Sequence, residues 1–469
     1  MDCKSIAAAS LAGLALLPSA GTANAGNKSK KTGSSRPNIV LIIGDDCRMR
    51  DLGCYGNAFS KTPNIDRIAS EGLRFERFFQ ATAMSSPTRQ CLLTGLYPVH
   101  SGAYPNHTFI SEGVRTLPSY LKDCGYRVAT QGKRHYAPLA QFPFEYLDPM
   151  EQNTPLLDPE KVEPFLKDVS KSGEPFFLYL CSTDPHSPWT RGDQSLFDPE
   201  TVKLPENFVD TPETRRQYCN YLAEINLLDK HVGMIDEMLH KYGLDENTIF
   251  IFTSEQGYSF PFAKWTCYDE GLQTGVVIRW PGVTKPGSTT DKMCEYVDIT
   301  PTLIDIAGGK EQGLDGKSFK GIIEGRRDKG KSAVYGIQTS RGIFAGPKCY
   351  GIRSVRTDQF LYIRNLTPDE KFHCTTFNDK FWKSWEKVAD KDEFASRQVE
   401  RYATRPAEEL YDVIADPFQQ HNLAADPEYA ETLKKMSAMV DSWMESQGDK
   451  GQETEMDALH HMASKMGVK

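Results

Sequence analysis

Three short stretches of this 469-residue chain are apolar on both faces that a β-strand presents. They are Asn38–Ile43 (NIVLII), Phe176–Cys181 (FFLYLC) and Thr248–Thr253 (TIFIFT). A strand that shows water neither face must be covered on both sides, and sheets of that kind are parallel ones with crossover helices. Helix-period segments lie between them. Pro212–Tyr242 repeats Tyr218, Leu222, Ile225, Leu228, Val232, Ile235 and Leu239 at three- or four-residue spacing and stops at Gly243. Shorter helices start at Thr62-Pro63, at Leu117 and at Asp298, and Tyr126–Thr130 and Gly275–Trp280 read as further strands. The alternation predicts an α/β fold, a large mixed but mostly parallel sheet sandwiched by helices.

The pattern changes after Gly308–Lys331, which is rich in Gly and charge. Tyr350–Val355 and Gln359–Arg364 read as hairpin strands, and Glu428–Met444 as an amphipathic helix. Residues 36–330 are therefore expected to form the main domain and 331–446 a smaller C-terminal α+β subdomain. Residues 447–469 are polar, with little to bury, and are expected to be a mobile tail. At the N-terminus, Lys4, the Ala/Leu-rich Ile6–Leu17 and Ala23-Asn24-Ala25 predict a signal peptide over 1–25. That places the protein in the periplasm or outside the cell. No stretch is long enough for a membrane span. The net charge of −8 argues against a nucleic-acid partner. Setting Cys3 aside leaves ten cysteines, an even number that permits disulfides. Without any C-x-x-C pair, most of them read as small buried hydrophobes.

Polar residues gather just after the predicted strands. Strand 38–43 leads to Asp45-Asp46, 126–130 to Gly132-Lys133-Arg134-His135, 176–181 to Asp184-Pro185-His186, and 248–253 to Glu255-Gln256, with Lys264 shortly after. Parallel α/β sheets carry their sites at this carboxyl edge. Asp45, Asp46, Glu255 and Gln256 offer hard oxygen ligands, suited to Ca²⁺ or Mg²⁺ rather than zinc. Lys133, His135, His186 and Lys264 would gather positive charge around an anion. Arg341, Lys348, Arg353 and Arg356 of the smaller domain could grip further anionic groups, although any one of them is more simply a solvated charge.

One local motif is more specific. Ser85 to Gly95 reads S-x-P-x-R-x(4)-T-G. This resembles the maturation signature of type I sulfatases, in which the first residue is oxidised to formylglycine. R-P-N-I-V-L-I-I-G-D-D (36–46), T-P-N-I-D-R-I-A-S-E-G (62–72), G-K-R-H (132–135), D-P-H (184–186), the Glu255 turn and E-L-Y-D (409–412) follow in the order seen in that family. The resemblance covers about residues 36–445 and implies the alkaline phosphatase fold. It implies that Ser85 is the formylglycine precursor and nucleophile, steadied by Arg89. It implies one calcium ion bound by Asp45, Asp46, Glu255, Gln256 and the converted residue 85. Lys133 and Lys264 would hold the sulfate, His135 would help to expel it from the covalent intermediate, and His186 would be the acid toward the leaving group.

A serine at position 85 is similar to the bacterial members matured by a dedicated serine-type sulfatase-maturing enzyme, which becomes an expected partner. Gly102–His107, Tyr350–Arg356 and Leu361–Asn365 resemble heparan N-sulfatase, whereas Lys264 and the Glu255-Gln256 pair depart from it, where Arg and Asp-Asn are the pattern. The expected function is hydrolysis of a sulfate ester or N-sulfate on a sulfated glycan. The alternatives are a phosphomonoester or phosphonate hydrolase of the same fold, or a sulfated-glycan-binding protein if Ser85 is not matured.

Overall fold

The computed structural model describes residues 36–461, except 153, 311, 327, 328, 342, 344 and 345. The expected signal peptide and residues 462–469 lie outside the described residues. Among the described residues the larger sheet has nine strands. These are β1 (Asn38–Gly44), β2 (Leu73–Phe79), β3 (Arg127–Gly132), β4 (Glu145–Tyr146), β5 (Phe176–Cys181), β6 (Thr248–Ser254), β7 (Gln273–Arg279), β8 (Ser288–Thr290) and β9 (Cys294–Glu295). Their spatial order is β4-β3-β5-β1-β6-β7-β2-β8, with β9 also paired to β2. β4, β3, β5, β1 and β6 run parallel. β7 is antiparallel to both its neighbours, so the sheet is mixed but mostly parallel, as expected.

Both faces of the sheet are covered. Along β1, Val40 and Ile42 face one core with Leu222, Ile225 and Val232 of the helix Pro212–Lys241 and Val162 and Leu166 of Pro159–Ser172. Ile39, Leu41 and Ile43 face the other, with Leu117 and Leu121 of Leu117–Asp123 and Leu303 and Ile304 of Ile299–Ile306. Each such side chain contributes about 1.5–3 kcal/mol on full burial, which is why the strand has no polar alternate. The long helix starts where Pro212 sets φ at its first turn and the Thr211 hydroxyl accepts from Thr214 N–H. The same helix caps another. Buried Asp229 accepts from the backbone N–H groups of Asn64 (3.0 Å) and Ile65 (2.8 Å), at the start of helix Pro63–Glu71, where Thr62 makes no side-chain cap.

A second, antiparallel sheet follows in the order β10 (Val334–Gln338), β11 (Ile352–Arg356), β12 (Phe360–Asn365), β13 (Glu408–Asp412). Met436 and Val440 of the helix Ala430–Gln447 pack on Val355, Tyr362 and Leu410. The stretch beyond that helix departs from the expectation of a mobile tail at 447–469. Gln452–Asp457 is helical, and Asp449 and Glu455 are buried against Arg353 of β11. Arg353, Asp449 and Glu455 are all fully buried at their side chains. The segment is held by these ion pairs, with only Ala458 buried among apolar side chains, so a search for runs of hydrophobic residues does not find it. None of the ten described cysteines forms a disulfide.

Candidate active site

β3, β5, β1 and β6 are consecutive neighbours, so their carboxyl ends deliver one cluster. Asp45 N–H donates to Asp184 O (3.0 Å), and Glu255 N–H donates to Gly44 O (2.7 Å), which ties three strand ends together. Asp46 takes a left-handed φ of 56°, a conformation that costs a non-glycine residue energy and is concentrated at functional sites. The helix Ser85–Thr94, buried along its whole length, points its N-terminus into this edge. Ser85 and Arg89 lie one turn apart on the same face.

Ser85 Oγ stands at the meeting point. It lies 3.3 Å from Asp45 Oδ1, accepts from Lys133 Nζ at 3.3 Å and is 3.4 Å from Gln256 Nε2. Lys133 also pairs with Asp45. Asp46 Oδ2 accepts from Lys264 Nζ (2.7 Å) and Ser259 Oγ (2.8 Å), and its Oδ1 from Gln256 Nε2 (2.7 Å). Arg89 Nε donates to Glu255 Oε1 (2.5 Å) with both side chains at 0% exposure, and its NH1 donates to Lys133 O (3.0 Å).

These contacts set the charges. Burial pushes the Asp45 carboxyl up, but the Lys133 charge, a hydrogen bond with Glu255 and the charges of His186 and Arg89 together hold the group well below the usual range. Asp46 is likewise raised by burial and lowered, on balance, by the charges of Lys264 and His186 together with the Lys264 hydrogen bond. Glu255 goes the other way. Burial first, then the Asp45 charge, push it up to about 8 against the pull of Arg89 and Lys133.

His186 Nδ1 lies 2.6 Å from Ser187 O, so it carries the proton and donates. Its Nε2 then accepts from Lys264 Nζ at 3.0 Å. The Lys264 charge, with burial, holds His186 below its ordinary value, which agrees with a neutral ring. On the other side of the site, His135 Nε2 lies 3.0 Å from His107 Nδ1. His135 is held well below its ordinary value by burial and by Lys133.

One carboxylate oxygen from each of the buried Asp45, Asp46 and Glu255 lies within 4.8 Å of the other two. That span matches oxygens on opposite sides of a cation with bonds of about 2.3–2.6 Å, the calcium range. Two further buried atoms, Glu255 Oε2 and Gln256 Oε1, have no hydrogen-bond partner. Orphaned buried acceptors of this kind are rare and point to an ion or other absent partner. As placed, the Gln256 amide turns its nitrogen toward Asp46 and Ser85; a half-turn exchanges it for the oxygen. The donor set fits a hard divalent cation.

The cluster opens into a cleft of 490 Å³, lined among others by Asp45, His107, Lys133, His135, His186 and Arg191. All the expected site residues are together here: Asp45, Asp46, Ser85, Arg89, Lys133, His135, His186, Glu255, Gln256 and Lys264. The sequence did not single out His107 or Ser259, because neither sits in a strand-end motif. Two of the arginines proposed as anion grips serve the fold instead. Arg353 pairs with Asp449 and Glu455, and Arg356 pairs with Asp269.

The family model described as Sulfatase matches residues 37–309. The chain belongs to the sulfatase family. It is a sulfuric ester hydrolase, as its resemblance implied. A second model, N-sulphoglucosamine sulphohydrolase, C-terminal, matches residues 255–379. An ulvan-active sulfatase of Formosa agariphila is 32% identical, covering 89% of this sulfatase and 81% of that one. The human N-sulphoglucosamine sulphohydrolase is 27% identical, covering 87% and 90%. The resemblance to heparan N-sulfatase therefore stands beside a likeness to sulfatases of other substrates. Among solved structures, one bound to its substrate D-glucosamine-2-N,6-O-disulfate superposes with a TM-score of 0.71 at 20% identity, covering 89% of this chain and 99% of that one. A phosphonate monoester hydrolase of Agrobacterium radiobacter gives 0.68 at 19%, covering 88% and 96%. At such identities the shared property is the fold, the alkaline-phosphatase-like one expected from the sequence.

Proposed function

We propose that this sulfatase removes a sulfate group, as ester or N-sulfate, from a sulfated glycan, with a formylglycine nucleophile made from Ser85 and one calcium ion. The observation that carries the reading is the position of Ser85 Oγ, within 3.4 Å of Asp45, Lys133 and Gln256 at the focus of the buried cluster. A formylglycine at residue 85 would supply, as its hydrate, two hydroxyls on one carbon, one to attack sulfur and one to lose its proton as sulfate leaves, where serine has only one. Asp45, Asp46, Glu255, Gln256 and residue 85 would hold the calcium, which supplies Lewis-acid stabilisation of sulfate oxygens.

The side chains divide the remaining work. Asp45, Asp46 and Glu255 are matched in number by Arg89, Lys133 and Lys264, so a bound divalent cation leaves a positive excess for the substrate anion. Lys133 and Lys264 contact the sulfate. Arg89 steadies residue 85 and neutralises Glu255. His135 takes the proton when sulfate leaves. The His186–Lys264 pair supplies the proton to the leaving group, with Lys264 holding it at rest. The protein is matured by a serine-type maturing enzyme and works in the periplasm or outside the cell.

Sulfate release tests this directly. Glucosamine N-sulfate, N-acetylglucosamine 6-sulfate and an ulvan oligosaccharide should include at least one substrate of the matured protein, and Ser85→Ala should be inert on it. Hydrolysis of phosphonate monoesters with no sulfate released from any sugar would overturn the reading.

A further inference from the structure

His107 is a histidine in an unfavourable place. It is exposed, lies in a loop and takes a left-handed φ of 53°. His135, its partner at 3.0 Å, has φ 54°. Two strained backbones that meet in one hydrogen bond must be held by their surroundings.

The restraints are on both flanks. Tyr104 OH donates to Thr454 O (2.9 Å), and Thr108 Oγ1 donates to His461 O (2.7 Å). The rings of Tyr104 and His461 pack against each other with centroids 4.9 Å apart, tilted by 52°. Residues 449–461 are themselves anchored by the buried Arg353–Asp449 and Arg353–Glu455 pairs. Thr108 N–H also donates to Ser86 Oγ (3.3 Å), next to the nucleophile position. The C-terminal segment thus grips the His107 loop on either side of the histidine.

The bond has a direction. His135 Nδ1 is buried and has no hydrogen-bond partner. An orphaned buried N–H is rarer than an orphaned acceptor. The proton therefore sits on Nε2 and is donated to His107 Nδ1.

We propose that His107 is a positioning residue, strapped in place by residues 449–461, that keeps the proton of His135 on Nε2 and so leaves the buried Nδ1 free as the proton acceptor. The proposal rests on His135 being the base of the proposed reaction, but its test needs no turnover.

Histidine-selective ¹⁵N labelling of the full chain, with His135 assigned by His135→Gln, reads the tautomer. The wild type should show a slowly exchanging, downfield imidazole proton on His135 Nε2. His107→Gly suits the left-handed backbone, so it deletes the side chain without folding strain, and should abolish that signal. His107→Asn keeps an acceptor and tolerates the same φ, and should restore it. Thr108→Val, which removes the bond to His461, should weaken it while the melting temperature holds. On a substrate of the matured enzyme, His107→Gly should lower kcat about 10- to 100-fold, the range for residues that orient a reacting histidine, with His107→Asn recovering most of it. A proton on His135 Nδ1 in the wild type, or a signal unchanged by His107→Gly, would overturn the role of His107. A Thr108→Val spectrum identical to wild type would overturn the strap.

Discussion

Lys264 Nζ lies 3.0 Å from His186 Nε2 and 2.7 Å from Asp46 Oδ2, so one ammonium bridges the proposed leaving-group acid and a proposed metal ligand. With Nδ1 of His186 donating to Ser187, the histidine is an acceptor at rest and the lysine holds the proton. Lys264→Met should therefore lower kcat/KM by about 10²- to 10³-fold, as when a fixed charge at the reacting group is lost. Steady-state kinetics of wild type and variant on one sulfated sugar measure it. A change under about threefold would separate Lys264 from the chemistry.

Calcium should stabilise the fold as well as serve the reaction. Carboxylate oxygens of Asp45, Asp46 and Glu255 converge within 4.8 Å, beside the unpartnered Glu255 Oε2 and Gln256 Oε1, and a bound cation would satisfy them. At a hundred times its dissociation constant, the ion contributes about 2.7 kcal/mol. Thermal melts should rise with calcium and fall with a chelator. Glu255→Ala should abolish most of that response. It should also lower stability by about 3–5 kcal/mol, because Arg89 is left buried without its partner. Melts indifferent to calcium and chelator would remove the metal from the account.

Asp229 makes stability depend on pH. Burial pushes it up to about 6, although the N–H groups of Ile65 and Asn64 pull it down. Its unfolded value is about 3.9. Between these values the folded state keeps a proton that the unfolded chain releases. The stabilisation is complete below about pH 4 and is lost as pH rises through about 6, by up to about 3 kcal/mol. Asp229→Asn has no such proton. Denaturant unfolding from pH 4 to pH 7 should show the wild type losing stability relative to the variant; parallel curves would contradict the shift.

Much of this was readable from residues alone, for one reason. β1, β5 and β6 are buried on both faces, and the polar residues that break their apolar runs are the site itself. Other features leave no local mark. β2 carries Arg74, Glu76 and Arg77 within its seven residues and pairs antiparallel with β7, so it lacks the apolar run that marks β1. The C-terminal segment is buried through Asp449 and Glu455, and hydrophobic periodicity is blind to ion pairs. Arg353 looked like a surface cation for the same reason. His107 depends on a backbone conformation and on contacts with residues more than three hundred positions away.

The central claim is chemical, that residue 85 works as an aldehyde and not as a serine. Peptide mass spectrometry across residue 85, on protein produced with a serine-type maturing enzyme and shown to release sulfate, tests it most directly. The account predicts a peptide lighter by about 2 Da, the two hydrogens lost on oxidation of the serine, in proportion to activity. A fully active preparation whose residue 85 is unmodified serine would contradict it.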